Sequence, residues 1–193
     1  SMVYAMIAGI PNVGKSTIIN ALAGRSIAKT GNEAAVTKMQ QRIEISPHLT
    51  LIDTPGVLWP NIENKNSGYR LAATGAIKDT AIDLQDIACF VAEFMLENYP
   101  TNIQSRYALE KLPNGEIELL EAIARKRGCI VSGGVVDFEK VSRIVVSDLR
   151  SRGFDGICME TPTQIIKELA ELDGLRALKL ERAQEKRSKR KGR

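Results

Sequence analysis

The stretch GIPNVGKS, residues 9 to 16, constrains this chain more than any other. It fits Gly-x-x-x-x-Gly-Lys-Ser/Thr, and its flanks fit the same idea. Val3 to Ala8 is a short apolar run of strand-forming residues, while Lys15 to Leu22 has apolar positions at helical spacing and a stop at Gly24. Strand, glycine loop and helix in that order form the setting in which such a loop wraps a phosphate. Gly9 and Gly14 leave no Cβ in the way, so successive N–H groups can turn inward. The positive end of the following helix adds to that field. Lys15 is then placed to reach the β- and γ-phosphates, and Ser16 to offer its hydroxyl to Mg²⁺. The expected fold class is α/β, the phosphate-loop half of a P-loop sheet followed by an all-α part.

A second motif strengthens the reading. LIDTPG ends an apolar strand in Asp53, thirty-seven residues after Ser16. A carboxylate there lies near a nucleotide-bound metal, and Gly56 can give its N–H to a γ-phosphate. Thr37 sits in the intervening loop, where nucleotide switches present a hydroxyl to Mg²⁺. Val57 follows Gly56 at a position where many GTPases carry a glutamine that orients the attacking water. A valine cannot polarise water, so hydrolysis is expected to be slow in isolation and to depend on another group, a cation or a partner. His48, the one histidine, falls in a turn between the segments QRIEI and LTLID and reads as a surface residue.

Composition bounds the alternatives. The chain has 193 residues, 44% hydrophobic and 26% charged, the balance of a folded globular protein. No run approaches the length of a membrane span. Cys89, Cys129 and Cys158 are scattered and odd in number, which argues for plain thiols in a reducing, cytoplasmic setting. From Asp83 the pattern turns helical. DLQDIACFVAEFMLENYP carries an apolar stripe stopped by Pro100, and GEIELLEAIARKRG and DFEKVSRIVVSDLRSRG each close on a glycine, the latter capped by Asp137. Another helix is expected over GYRLAATGA. The expected organisation is a partial GTPase-type domain over 1–80, a helical domain over 81–162, and a basic tail over 163–193. Residues 176–193 hold nine Lys or Arg against two Glu, so the net charge of +4 resides in the tail.

Several stretches together resemble one family. GIPNVGKSTIINAL, AKTGN, VTKMQQ, LIDTPGVLWP, RLAATGAIKD and KRGCIVSGGVVDFEK are similar to the ribosome biogenesis GTPase A family. These are circularly permuted GTPases that help assemble the large ribosomal subunit in bacteria. The resemblance implies binding of GTP or GDP with Mg²⁺, hydrolysis of GTP, and contact with the large-subunit precursor and its rRNA. It carries the phosphate loop onto Gly9, Pro11, Asn12, Val13, Gly14, Lys15, Ser16 and Thr17. Ser16, Thr37 and Asp53 become the Mg²⁺ set, and Lys15, Thr37 and Gly56 the groups at the reacting phosphate. Asn12 is similar to an asparagine that binds K⁺ in cation-activated GTPases, and Val57 fits the family's hydrophobic residue in place of glutamine. The segment from about residue 83 resembles the family's RNA-binding domain.

Two departures qualify the resemblance. The family has Pro-Gly before the switch threonine, where this chain has Ala34 and Ala35. In the permuted order the guanine-reading Asn-Lys-x-Asp comes ahead of the phosphate loop, and only Ser1, Met2 and Val3 precede Tyr4 here. Asn64-Lys65 is followed by Asn66 and Ser67 and lacks the aspartate, so it reads as a coincidence in a polar loop. With the base-reading half missing, the nucleotide site is expected to be weak. The first strand is expected to present an unpaired apolar edge that invites self-association. Three readings stand: a GTP-hydrolysing assembly factor of the large subunit; an RNA-binding helical domain with a nucleotide-incompetent site; and another P-loop NTPase, such as a tRNA-modifying GTPase. The basic tail favours RNA over a membrane surface, since its apolar face fades before its charge concentrates.

Overall fold

A computed structural model describes residues 2–28, 40–78 and 81–191, with side chains to 182 and at 184. The strands and the first helices are β1 (Val3–Ile7), α1 (Lys15–Ala23), β2 (Gln41–Ser46), β3 (Leu49–Asp53) and α2 (Lys65–Ala73). There follow α3 (Leu84–Asn98), α4 (Pro100–Tyr107), α5 (Glu116–Arg127), α6 (Phe138–Arg150) and α7 (Pro162–Lys191). None of the described helices is long and apolar enough to cross a membrane.

The sheet has the order β1-β3-β2. β2 and β3 form the expected antiparallel hairpin, with His48 exposed at its turn. β1 runs parallel to β3, from Val3 opposite Leu49 to Ile7 opposite Asp53. This pairing positions the site, because it brings the ends of β1 and β3, and the loops that leave them, side by side. α1 covers one face of the sheet. Ile19 of α1 packs with Ile43, Leu51 and Ala28 in a small core that Ala5 and Ile7 extend. By strand alternation Tyr4 and Met6 lie on the other face, and they are 60% and 62% exposed.

The larger core is helical. Ala72 and Ala73 of α2 join Ile87, Val91 and Met95 of α3, Leu119 and Ile123 of α5, and Val141 and Val145 of α6. α2 is thereby packed as part of the helical body. This helix begins three residues before the stretch read from the sequence, because Asn64 caps it by accepting from the Ser67 N–H at 3.0 Å. The dipeptide Asn64-Lys65 thus has a structural use at a helix start.

Helix ends follow local chemistry with two departures. Pro100 stops α3 as expected, but it also opens α4 at a first-turn position where its missing N–H costs nothing. α4 was not read from the sequence, since PTNIQSRY is mostly polar. Asp137 caps α6 through the Lys140 N–H at 2.9 Å. The stop of α6, however, is not a left-handed glycine. Arg152 takes the positive φ of 58°, and Gly153 is needed because a Cβ there would lie 2.8 Å from the Asp148 carbonyl oxygen. The tail begins in α7, whose thirty residues extend about 45 Å at 1.5 Å each. Cys89 is half-buried, Cys129 buried and Cys158 exposed, and all three are free thiols.

Candidate nucleotide-binding site

The loop between β1 and α1 has the backbone its glycines suggest. Gly14 is the N-cap of α1 with φ of 86°, a left-handed conformation that a side chain would strain. Asn12 is left-handed too, at φ 60°, and asparagine tolerates that region better than most residues. Lys15 is buried and lies across the loop, its Nζ donating to the Ile10 carbonyl at 2.8 Å. A lysine held this way is close to where a phosphate chain would sit and can exchange one acceptor for another. Ser16 is half-buried on the first turn of α1, while Val13 and Thr17 are exposed.

The second motif closes on this loop. Asp53 ends β3 and is 1% exposed, level with Ile7 across the parallel ladder. The Thr54 hydroxyl donates to the Ile7 carbonyl at 2.7 Å, pinning the start of the Asp-Thr-Pro-Gly loop to the end of β1. The Val57 N–H donates to the Gly9 carbonyl at 3.3 Å. A Cβ on Gly56 would stand 2.5 Å from both the N and Cα of Pro11, so only glycine permits this approach. Gly9, Pro11, Gly14, Lys15, Gly56 and Asp53 are thereby gathered at one end of the sheet. Thr37, with Ala34 and Ala35, lies outside the described residues.

The donor set fits a nucleotide-bound Mg²⁺. Ser16 and Asp53 offer hard oxygens, and Mg²⁺ takes one or two protein ligands when phosphates and waters complete its octahedron. No group of three or more His, Cys, Asp or Glu side chains able to hold a metal occurs among the described residues. A metal held by Ser16 and Asp53 would take its remaining ligands from phosphates and waters.

Several contributors could not be read from the pattern. Asn20 accepts from the N–H groups of Ile27 and Ala28 at 2.9 and 2.8 Å, and donates to the Ala28 carbonyl at 2.9 Å. It therefore fixes the backbone of Ile27 and Ala28 against α1. Asn12 donates through Nδ2 to the Thr74 carbonyl at 3.2 Å, tying the phosphate loop to the end of α2. Partners sixty-two residues apart leave no local signal. Val57 and Trp59, just beyond the site, are 74% and 75% exposed.

A glycine loop opening a helix, beside a parallel strand that ends in a buried aspartate, defines the class: an α/β phosphate-loop GTPase fold, here with a helical body attached. Comparison with known proteins gives the same result and narrows it. A model of the 50S ribosome-binding GTPase family matches residues 4–126. Ribosome biogenesis GTPase A of Bacillus pumilus is 46% identical over 160 residues, covering 83% of this chain and 57% of that protein. The protein of that name from Thermotoga maritima is 30% identical over 160 residues, with 83% and 57% covered. A solved structure described as GDP-bound TM YlqF superposes with a TM-score of 0.56 at 28% identity, covering 84% of this chain and 62% of that one. The chain belongs to the ribosome biogenesis GTPase A family. It spans a little over half the length of the curated relatives it matches.

Proposed function

We propose that this chain carries the phosphate- and Mg²⁺-binding part, together with the helical body, of a GTP-hydrolysing assembly factor for the large ribosomal subunit. The observation that carries the reading is the closure of Gly56 on Pro11 over the parallel ends of β1 and β3. That closure puts the two phosphate-facing loops in contact. In this reading the backbone N–H groups of residues 9 to 17 wrap the phosphates. Lys15 leaves the Ile10 carbonyl for the β- and γ-phosphate oxygens. The Gly56 N–H marks the γ-position. Ser16 and Asp53, with Thr37, would hold Mg²⁺, which when bound offsets the negative charge of the phosphates. Asn12 would contribute to a K⁺ site. Val57 supplies no proton acceptor, so turnover in isolation is slow and rises with K⁺ or with a ribosomal partner.

The partner side of the proposal rests on the names of the relatives and on charge. The nine basic residues after 175 suit a phosphate backbone, and each phosphate they neutralise steepens the salt dependence of binding by about 0.9 log units per log salt. The exposed edge and face of β1 suit self-association of this chain.

Calorimetric titration with GDP and with ADP, each with and without Mg²⁺, tests the nucleotide reading. Mg²⁺-dependent binding of GDP with little binding of ADP supports it in full. Equal binding of both shows that these residues read phosphate and not the base. Binding of neither overturns the nucleotide assignment for this chain and leaves the RNA-binding reading of the helical body.

A further inference from the structure

The phosphate loop is tied to the end of α2, which packs in the helical core. Asn12 is a non-glycine residue with a left-handed backbone in the middle of that loop. Such a conformation costs about 1 kcal/mol or more and persists where the surroundings hold it. One such hold is the hydrogen bond from Asn12 Nδ2 to the Thr74 carbonyl. Thr74 is the C-cap of α2, so its position depends on what fixes that helix end. The last carbonyls of a helix lack intrahelical partners, and a cation suits them. Arg150 supplies one: Nε donates to the Ala73 carbonyl at 3.1 Å, and Nη2 to the Ala72 carbonyl at 2.9 Å, a carbonyl that also accepts from the Gly75 N–H. Arg150 is the last residue of α6, a helix held in the core by Val141, Val145 and Val146, all at most 2% exposed.

We infer that Arg150 is a positioning residue for the phosphate loop, acting through the C-terminal end of α2 and the Thr74 carbonyl on Asn12. This rests on the reading of that loop as the nucleotide site. The physical content is preorganisation. With Asn12 held, the N–H groups of the loop already point as a phosphate needs them, and binding does not have to order them. The helical body thereby sets part of the nucleotide affinity. By thermodynamic reciprocity, an occupied loop stiffens the end of α2.

The test is amide hydrogen exchange on the full chain without nucleotide, paired with Mg²⁺-GDP titration, for wild type, Arg150→Gln, Asn12→Ala and the double variant. Arg125→Ala, an exposed residue of α5 that pairs with Glu121 of its own helix, is the control. Arg150→Gln is expected to speed exchange in residues 9–14 and 72–76 and to weaken Mg²⁺-GDP about fivefold. In the Asn12→Ala background the same change should add less than about twofold, because the link is already cut. Loosening of 72–76 that leaves the loop's exchange untouched overturns the inference, and so do effects that simply multiply in the double variant. If Arg150→Gln does not fold, Arg150→Lys keeps the charge while losing the rigid two-nitrogen fork, and the same comparisons decide. Should wild type bind no Mg²⁺-GDP, the nucleotide reading fails, while the ligand-free exchange still judges the positioning role.

Discussion

At Gly56 an added Cβ would sit 2.5 Å from the backbone of Pro11, a separation that real side chains do not occupy. Gly56→Ala must therefore push the Asp-Thr-Pro-Gly loop off the phosphate loop and stretch the Val57 N–H bond to Gly9. We expect a loss of about 1–3 kcal/mol in thermal unfolding, in the range of other forced overpacking, with nucleotide affinity falling in parallel. Lys15→Met keeps the apolar stem and removes the charge. Its fold should survive, while Mg²⁺-GDP binding drops at least about thirtyfold, the equivalent of 2 kcal/mol for a lost charge-assisted contact. An unchanged affinity in calorimetry would remove Lys15 from the site. The placement of Gly9, Gly14, Lys15 and Ser16 between a strand and a helix was legible in the sequence because it is local: it follows from the loop's own spacing and from the elements on either side. Asp53 was legible because it ends a readable strand. Pro11 against Gly56, Asn20 on Ala28 and Asn12 on Thr74 were not, since tertiary approach decides them and no short pattern encodes it.

α7 shows the same divide among the helices. Its amphipathic start and charged end are plain in the sequence, but the side chains that tie it down are not: Arg176 donates to Glu63 at 2.8 Å, and Glu168 makes the densest set of bonds. Glu168 accepts from Arg70 at 2.6 and 2.8 Å and from the side chains of Asn64 and Asn66 at 3.1 Å each, all on or beside α2. These hydrogen bonds, Arg70 foremost, hold the Glu168 carboxyl down at about 2, against an ordinary 4.5. A depressed pKa in the folded state means the carboxylate stabilises docking. That contribution is complete above pH 4.5 and is lost as pH falls from there toward 2. Hydrogen exchange of residues 162–172 should rise through that window in wild type. Glu168→Gln should show the faster exchange already at pH 7 and little further pH dependence, having lost charged hydrogen bonds of about 2 kcal/mol. A pH response that persists unchanged in Glu168→Gln would assign it to another group. The same clamp explains why Arg70 is buried on a helix whose other buried residues are alanines. A buried arginine is tolerated where a carboxylate meets it bidentately.

Over the whole molecule the two cores are unequal. The described residues bury four hydrophobic side chains beneath the sheet and nineteen in the helical body. Burial is the main source of stability, so the sheet should open at lower free energy than α3, α5 and α6. Exchange at Val3–Ile7 should outpace that at Ile87–Met95 by orders of magnitude. β1 is also the part most open to association. Among the described residues it bonds to β3 on one side only, and Val3, Tyr4 and Met6 are 54%, 60% and 62% exposed. A strand with an unpaired edge and an apolar outer face can pair with a second copy along the edge or bury Tyr4 and Met6 against it. Sedimentation velocity across a concentration series should show reversible association. A charge at the face opposes burial of that face, where it must be desolvated, and a lysine on an edge strand also discourages edge pairing. Met6→Lys should therefore shift the midpoint upward by at least about tenfold, while Leu178→Lys on the exposed part of α7 should leave it unchanged. A monomer at every concentration, or an association that Met6→Lys does not weaken, would remove β1 as the interface. If Leu178→Lys abolished it instead, α7 would be the contact.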